Sequence, residues 1–419
     1  MVRWLTTPMF ARLAAATSLI GLATAFTTPF LVLFLTAELG VEPGARTVFL
    51  VLSSLAALFA SSTLGSLSDR GTSRRALLFV GAAAGCCGYG LFAFVRDYLP
   101  LLAVSVTLVA VSTSLLPLTF AHAREALRGR ESGSVTLAIS WLRTLFSVTW
   151  VLGPPLAALL LGRAGFTALF GTAAVLNGLL AVVLLGRGTA SAAAAPKRAR
   201  LGAMPRPVLL AAAAFVALQS ANALGALVLP LWLTEDLHTG VGVVGVAVGL
   251  GAALEIPLMP ALGALAARIP PRRLVSVGAL AGIAYYVAMS VSSEVWQALT
   301  VQLLNAVFVA AMMGIGISYF QDLLPDRLGG ATALYTNTGR VGALVAGLLV
   351  GLSGQLGYRM LFVASGVLCA VGVILLLRAG NVESTGKGSG SAGIGVGLVG
   401  GGVPDRADRG RRGDEPRLR

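Results

Sequence analysis

Charge is what this chain has least of. Asp, Glu, Lys and Arg make up 11% of 419 residues, against about 25% in soluble domains, and the mean hydropathy is +0.86. A fully water-solvated surface is excluded, and a lipid-embedded one is expected. Cysteine is scarce too: Cys86 and Cys87 are adjacent in one apolar run and Cys369 lies in another. That gives neither a disulfide framework nor a metal-ligand spacing, so they read as packing residues. Histidine is limited to His122 and His238, no nucleophile stands with a base, and no glycine-rich phosphate loop is visible. No enzyme is expected, and no cofactor or metal. Basic residues outnumber acidic ones 31 to 17, a net charge of +14, but they are scattered through short loops and a tail without an aromatic-interleaved face. Nucleic acid is not an expected partner.

Long apolar runs fill the rest. Twelve reach the roughly 20 residues that cross a bilayer, near 9–37, 45–67, 75–96, 99–124, 133–161, 166–186, 208–235, 240–266, 273–292, 295–322, 329–355 and 358–378. The first follows Arg3 and Arg12 but is too long for the cleavable core of a signal peptide, so it reads as a retained helix. Even-numbered loops hold Arg70, Arg74, Arg75, Arg124, Arg128, Arg130, Arg268, Arg272, Arg273 and Arg327, whereas odd ones hold Arg46, Arg96, Arg163 and Arg359 among acidic residues. The positive-inside rule then puts the even loops and both termini in the cytoplasm of a multi-pass protein of the inner (plasma) membrane.

A polar hinge, GSLSDRGTSRRALL (65–78), is echoed by GALAARIPPRRL (263–274). Gly65, Leu67, Arg70, Arg74 and Arg75 recur 198 positions on as Gly263, Leu265, Arg268, Arg272 and Arg273. An echo at nearly half the length implies a duplicated unit. The expected organisation is a six-helix bundle at 1–186, a basic cytoplasmic linker at 187–207, a second six-helix bundle at 208–378, and a disordered Gly- and Ser-rich cytoplasmic tail at 379–419. Parallel six-helix repeats of this kind surround a midplane site in transporters. The fold class expected is all-α integral membrane: twelve transmembrane helices in two pseudo-symmetric bundles, a monomer in the lipid bilayer.

The hinge at Gly65–Arg75 resembles the loop between helices two and three of the major facilitator superfamily, G-x-L-x-D-R-x-G-R-[KR], with Gly71 one place early and Ser73 in place of a basic residue. FAHAREAL (120–127), WVLGPPLA (150–157), LEIP (254–257), and FQDLLP with LYTNTGRVG (within 320–342) together resemble the sugar efflux transporter family within it. That resemblance implies export of small sugars or glycosides driven by the proton gradient. WVLGPPLAALLLG also resembles the Gly-Pro motif of antiporters in the superfamily. Pro154 and Pro155 remove backbone donors there, and Gly153 lets a neighbouring helix close in; such prolines also mark simple kinks.

Charge at membrane depth costs about 2.5 to 3.5 kcal/mol on insertion scales, which singles out Arg143, Glu255 and Arg340. Glu255 sits about fifteen residues, roughly 22 Å, into helix eight, just before Pro257. An isolated carboxylate there would couple protonation to opening, whereas a fixed ion pair with an arginine would only tie helices together. Arg143 and Arg340, 197 positions apart, read as pseudo-symmetry mates whose forked donors suit sugar hydroxyls. The competing reading has each snorkel toward the cytoplasm.

Trp141, Trp150, Gln219, Asn222, Asn305, Tyr335 and Asn337 lie on helices five, seven, ten and eleven and supply the amides and aromatic faces a pyranose needs. Taken singly, each amide is equally an interhelical hydrogen bond. Asp69, Arg70, Arg74 and Arg75 are expected to latch helix ends as the halves rock, with Gly153 and Pro154 as a second gating element; basic loop residues also serve topology alone. His122, beside Arg124 and Glu125, reads as a proton relay or an interfacial polar residue. The leading expectation is a proton-coupled sugar or glycoside exporter. The alternative is a multidrug efflux antiporter, with a larger aromatic and apolar pocket; a membrane enzyme or a transporter-like sensor fits less well.

Overall fold

The computed structural model describes residues 7–127, 132–185, 204–266, 268–325 and 328–379. Most of the expected linker, the tail, and Arg128, Arg130 and Arg327 lie outside the described residues. Among these, the chain forms twelve long helices. They are α1 (Pro8–Glu38), α2 (Pro43–Asp69), α3 (Arg74–Phe94), α4 (Tyr98–Ala126), α5 (132–164), α6 (166–185), α7 (Arg206–Asp236), α8 (Val241–Leu265), α9 (Pro271–Val291), α10 (Val295–Leu323), α11 (Leu328–Val350) and α12 (Ser353–Arg378). α5 and α6 are separated only by Gly165, at φ 70°, and α12 is broken likewise at Gly357, φ 76°. Both are left-handed positions that a side chain would strain.

Ten apolar stretches long enough to cross a bilayer account for every helix except α11, with α5 and α6 counted as one. α11 carries Thr336, Asn337, Thr338 and Arg340 near its middle. Its polarity marks where the interior is not oil.

The duplication reaches well beyond the hinge. LFLTAEL (33–39) and LWLTEDL (231–237), again 198 apart, each contain a π-helical turn, Phe34–Glu38 and Trp232–Asp236. Thr36 Oγ1 donates to Val32 O, and Thr234 Oγ1 to Pro230 O. The Val41 N–H reaches Leu35 O at 2.9 Å, and the Thr239 N–H reaches Leu233 O at 3.0 Å. Even the left-handed residues correspond, Gly40 at φ 61° and His238 at φ 49°. At the opposite ends of the helices, Arg75 Nε donates to Leu184 O, and Arg272 Nη2 to Leu377 O. In each half, then, an arginine opening the third helix caps a last-turn carbonyl of the sixth, where the helix dipole favours a cation.

Packing inside the two halves follows one plan. α1 approaches α5 so closely that a Cβ on Gly153 would stand 2.5 Å from Ala25 Cβ, and one on Gly342 of α11 would stand 2.8 Å from the Gln219 backbone of α7. α3 meets α4 at Gly81 and α6 at Gly85, as α9 meets α10 and α12 at Gly282. Lipid offers no hydrophobic gain between helices, so small residues that let backbones close hold them together.

Two seams join the halves. α11 lies antiparallel on α2, with Gly354 on Pro43, Gly351 on Thr47, and Gly347 on Leu50 and Val51. α8 lies on α5, with Gly245 against Ala158 and Pro154 O and Gly249 against Pro155. Both sets lie away from the α2–α3 and α8–α9 turns, which define the basic end. At that end a Cβ on Gly65 or Gly263 would meet nothing within 4 Å. Ser140, Trp141, Arg143 and Thr144 of α5 and Pro260, Ala261, Gly263 and Ala264 of α8 are exposed there. The bundles are joined at the far end and splayed at the basic end.

Candidate binding site

The polar middle of α11 faces the seam. Arg340 Nη2 donates across it to Ser61 Oγ of α2 at 2.7 Å, and Nη1 to Asn337 Oδ1, one turn back on its own helix, at 3.3 Å. Arg340 and Ser61 are both half-buried, and Asn337 is exposed. Tyr335 is buried against Phe215 and Phe320, its hydroxyl 3.3 Å from Met312 O and beside the Gln219 amide of α7. Arg143, exposed on α5, lies within electrostatic reach of that hydroxyl from the other bundle. Arg340 and Asn337 therefore share the seam, whereas Tyr335, two residues from Asn337, turns toward Gln219 of α7 and toward α10. Sequence reasoning missed Ser61, although Ser61, Ser62 and Thr63 form a polar patch in an otherwise apolar helix.

The remaining candidates are placed differently. Trp141 is 46% exposed but two residues from Arg143, which sets it on another side of α5. Trp150, seven residues from Arg143 and on the same face, is half-buried; its indole N–H is sealed without a partner among the described residues. Asn222 is half-buried, with no hydrogen bond to its amide among the described residues. Asn305 is tied into its own bundle, donating to Gln302 Oε1 at 3.2 Å, with Gln302 in turn donating to the Tyr285 hydroxyl.

Measured from the basic ends of their helices, Arg143 lies 11 residues past the start of α5 at Ser132 and Arg340 lies 12 past the start of α11 at Leu328, so the two stand at similar depths.

Glu255 is half-buried on α8 and forms no ion pair or hydrogen bond with the described residues. Gly251, one turn before it, faces Gln302 and Asn305, and Met259, one turn after it, faces Gly314. Glu255 thus lies on the side of α8 turned toward α10, and the arginine partner weighed as its bland explanation is not there.

In the hinge, Arg74 pairs with Glu125 of α4 at 2.8 Å, both largely buried, and also donates to Ser68. With Arg75 on Leu184, the described hinge contacts stay inside the first bundle. Arg70 is exposed, and the Asp69 side chain lies outside the described residues. His122 is half-buried within electrostatic range of Arg74 and Glu125. Gly153 and Pro154 stand where α1, α5 and α8 converge: Gly153 meets Ala25, and Pro154 O meets Gly245.

The far end has its own polar cluster. Arg46 of α2 is 2% exposed and donates through Nη2 to Ser353 Oγ at 2.8 Å, while the Tyr358 hydroxyl donates to Glu235. A cavity of about 380 Å³ lies there. None of the candidate residues lines it.

Two repeated bundles meeting at a polar seam inside the membrane make this a membrane transporter rather than an enzyme, and the chain belongs to the major facilitator superfamily, whose model matches residues 13–221 and 209–403. Within that superfamily its place is in the sugar efflux transporter family. It is 34% identical to sugar efflux transporter B of Salmonella typhimurium and 33% identical to sugar efflux transporter A of Dickeya chrysanthemi, in each case over 87% of this chain and 94% of the relative. The crystal structure of the nucleoside transporter NupG superposes with a TM-score of 0.75 over 89% of this chain and 99% of that one. At 10% identity that likeness shows the fold alone.

Proposed function

We propose that the protein exports small sugars or glycosides by alternating access, exchanging them for protons. The observation that carries this reading is Arg340: a half-buried guanidinium in the polar middle of α11, bonded across the seam to a hydroxyl and one turn from Asn337, on the same helix as Tyr335, which Gln219 and Arg143 approach. Forked donors, amides and a phenol are what a neutral polyol needs, and the names of the relatives point the same way. Glu255 is the coupling group in this reading. A carboxylate within the bundle that has no cation paired with it among the described residues is costly while ionised, so its proton occupancy can bias one conformation over the other.

The bundles rock as units of residues 1–186 and 208–378 about the 187–207 linker. The basic end and both termini face the cytoplasm of the inner membrane, following the arginine bias of the even loops. The substrate enters from the splayed basic end. A panel of radiolabelled sugars and lipophilic cations in proteoliposomes, with and without a pH gradient, tests the reading. Gradient-dependent movement of sugars with cations left behind is expected. Cations moving in place of sugars would establish the multidrug alternative.

A further inference from the structure

Among the α2 hydroxyls with a described hydrogen bond, Ser61 is the one whose partner lies in the opposite bundle. Thr47, Thr63 and Ser66 each donate to a backbone carbonyl three or four residues back, Ser53 meets Ser105 Oγ of α4, and Ser68 accepts from Arg74 of α3. Ser61 instead receives Arg340 Nη2 from the opposite bundle at 2.7 Å. The bond lies on the basic-end side of the seam, beyond the glycine contacts at Gly347, Gly351 and Gly354, and both partners are half-buried beside the splayed region. It is therefore nearer the basic end, where a solute enters in the exporter reading, than the other described cross-seam bond, Arg46 to Ser353.

We propose that Ser61 is a specificity-determining residue that holds the place of the substrate: its hydroxyl occupies the Arg340 nitrogen that a sugar hydroxyl takes on binding. This rests on the exporter reading for the class of ligand. A sugar replaces one hydroxyl acceptor by another, so the guanidinium loses nothing in the exchange. A ligand that displaces Ser61 without offering a hydrogen-bond acceptor leaves a half-buried guanidinium unpaired, which is strongly unfavourable. The exchange also unties α2 from α11 at this level, so that filling the site and loosening the seam are one event. An apolar solute of the same size cannot trigger it.

The test is equilibrium binding to the purified full-length protein of D-glucose, D-galactose, L-arabinose and their methyl glycosides, in wild type, Arg340→Ala, Ser61→Ala and Ser61→Thr. The expected result is about tenfold weaker binding in Arg340→Ala and several-fold tighter binding in Ser61→Ala, because the competing hydrogen bond to a charged group is gone. Ser61→Thr, which keeps the hydroxyl, should return to the wild-type value. Weaker binding in Arg340→Ala with unchanged or weaker binding in Ser61→Ala would overturn the role of Ser61 and leave the exporter reading standing. No binding of any panel sugar to wild type would bring down both.

Discussion

The far end and the basic end are built from the same helices, yet they fill the space between the bundles in opposite ways. At the far end an arginine, Arg46, bonds a serine across the seam while 2% exposed, among glycines that let α2 and α11 touch. Farther along α2 another serine, Ser61, accepts from another arginine, Arg340 of α11, across the same seam, but both are half-buried beside open space. The bond type is shared and the access is not. Position along the seam, rather than the chemistry of the pair, separates an arginine that holds helices together from one free to change partners.

Six substitutions break or sharpen this contrast, in descending order of effect. Glu255→Gln should abolish sugar efflux driven by a pH gradient while leaving exchange of labelled for unlabelled sugar partly intact; full gradient-driven efflux would remove Glu255 from coupling. Gly351→Val at the far end, where even a Cβ would overlap Thr47 Oγ1, should cost about 1 to 3 kcal/mol as overpacking does and reduce transport severely. A transport assay on protein that still elutes as a single species would check it.

The ion pairs come next. Glu125→Ala strips Arg74 of a largely buried partner and should destabilise by about 3 kcal/mol or more. Glu38→Ala breaks the pair with Arg96, where the carboxylate is 39% exposed, and should cost less than about 1 kcal/mol, because solvent screens it. Thermal unfolding in detergent compares the two, and equal shifts would refute the assigned burial. Smallest of all, Gly65→Ala and Gly263→Ala at the splayed end should change neither stability nor transport measurably.

The twelve helices were legible because lipid demands long apolar runs, and their expected ends fall within a few residues of the observed ones. The largest discrepancies are five residues each: α11, expected to reach residue 355, ends at Val350, and α12, expected to begin at 358, begins at Ser353. Gly351 and Leu352 continue the apolar pattern while the backbone turns. The hinge echo was legible through its arginines. The stronger repeat, Leu-x-Leu-Thr-x-x-Leu at 33–39 and 231–237, was equally visible, but only the π-helical turns reveal what it does.

The site was only partly readable. Arg340 and Tyr335 stood out as polar groups in an apolar helix, yet Trp141 was grouped with Arg143 although a two-residue step turns it away. Ser61 and Arg46 were not legible as partners, since their bonds span 279 and 307 residues of chain and no local pattern encodes a contact between bundles.

The most direct measurement uses two pairs of spin labels at exposed positions, Val48 with Leu352 at the far end and Thr63 with Thr336 at the basic end, followed by pulsed electron resonance as a panel sugar is added. The far-end distance should lengthen and the basic-end distance shorten on binding, with both responses absent in Arg340→Ala. If the sugar binds and neither distance changes, the seam is not the moving part and the account fails.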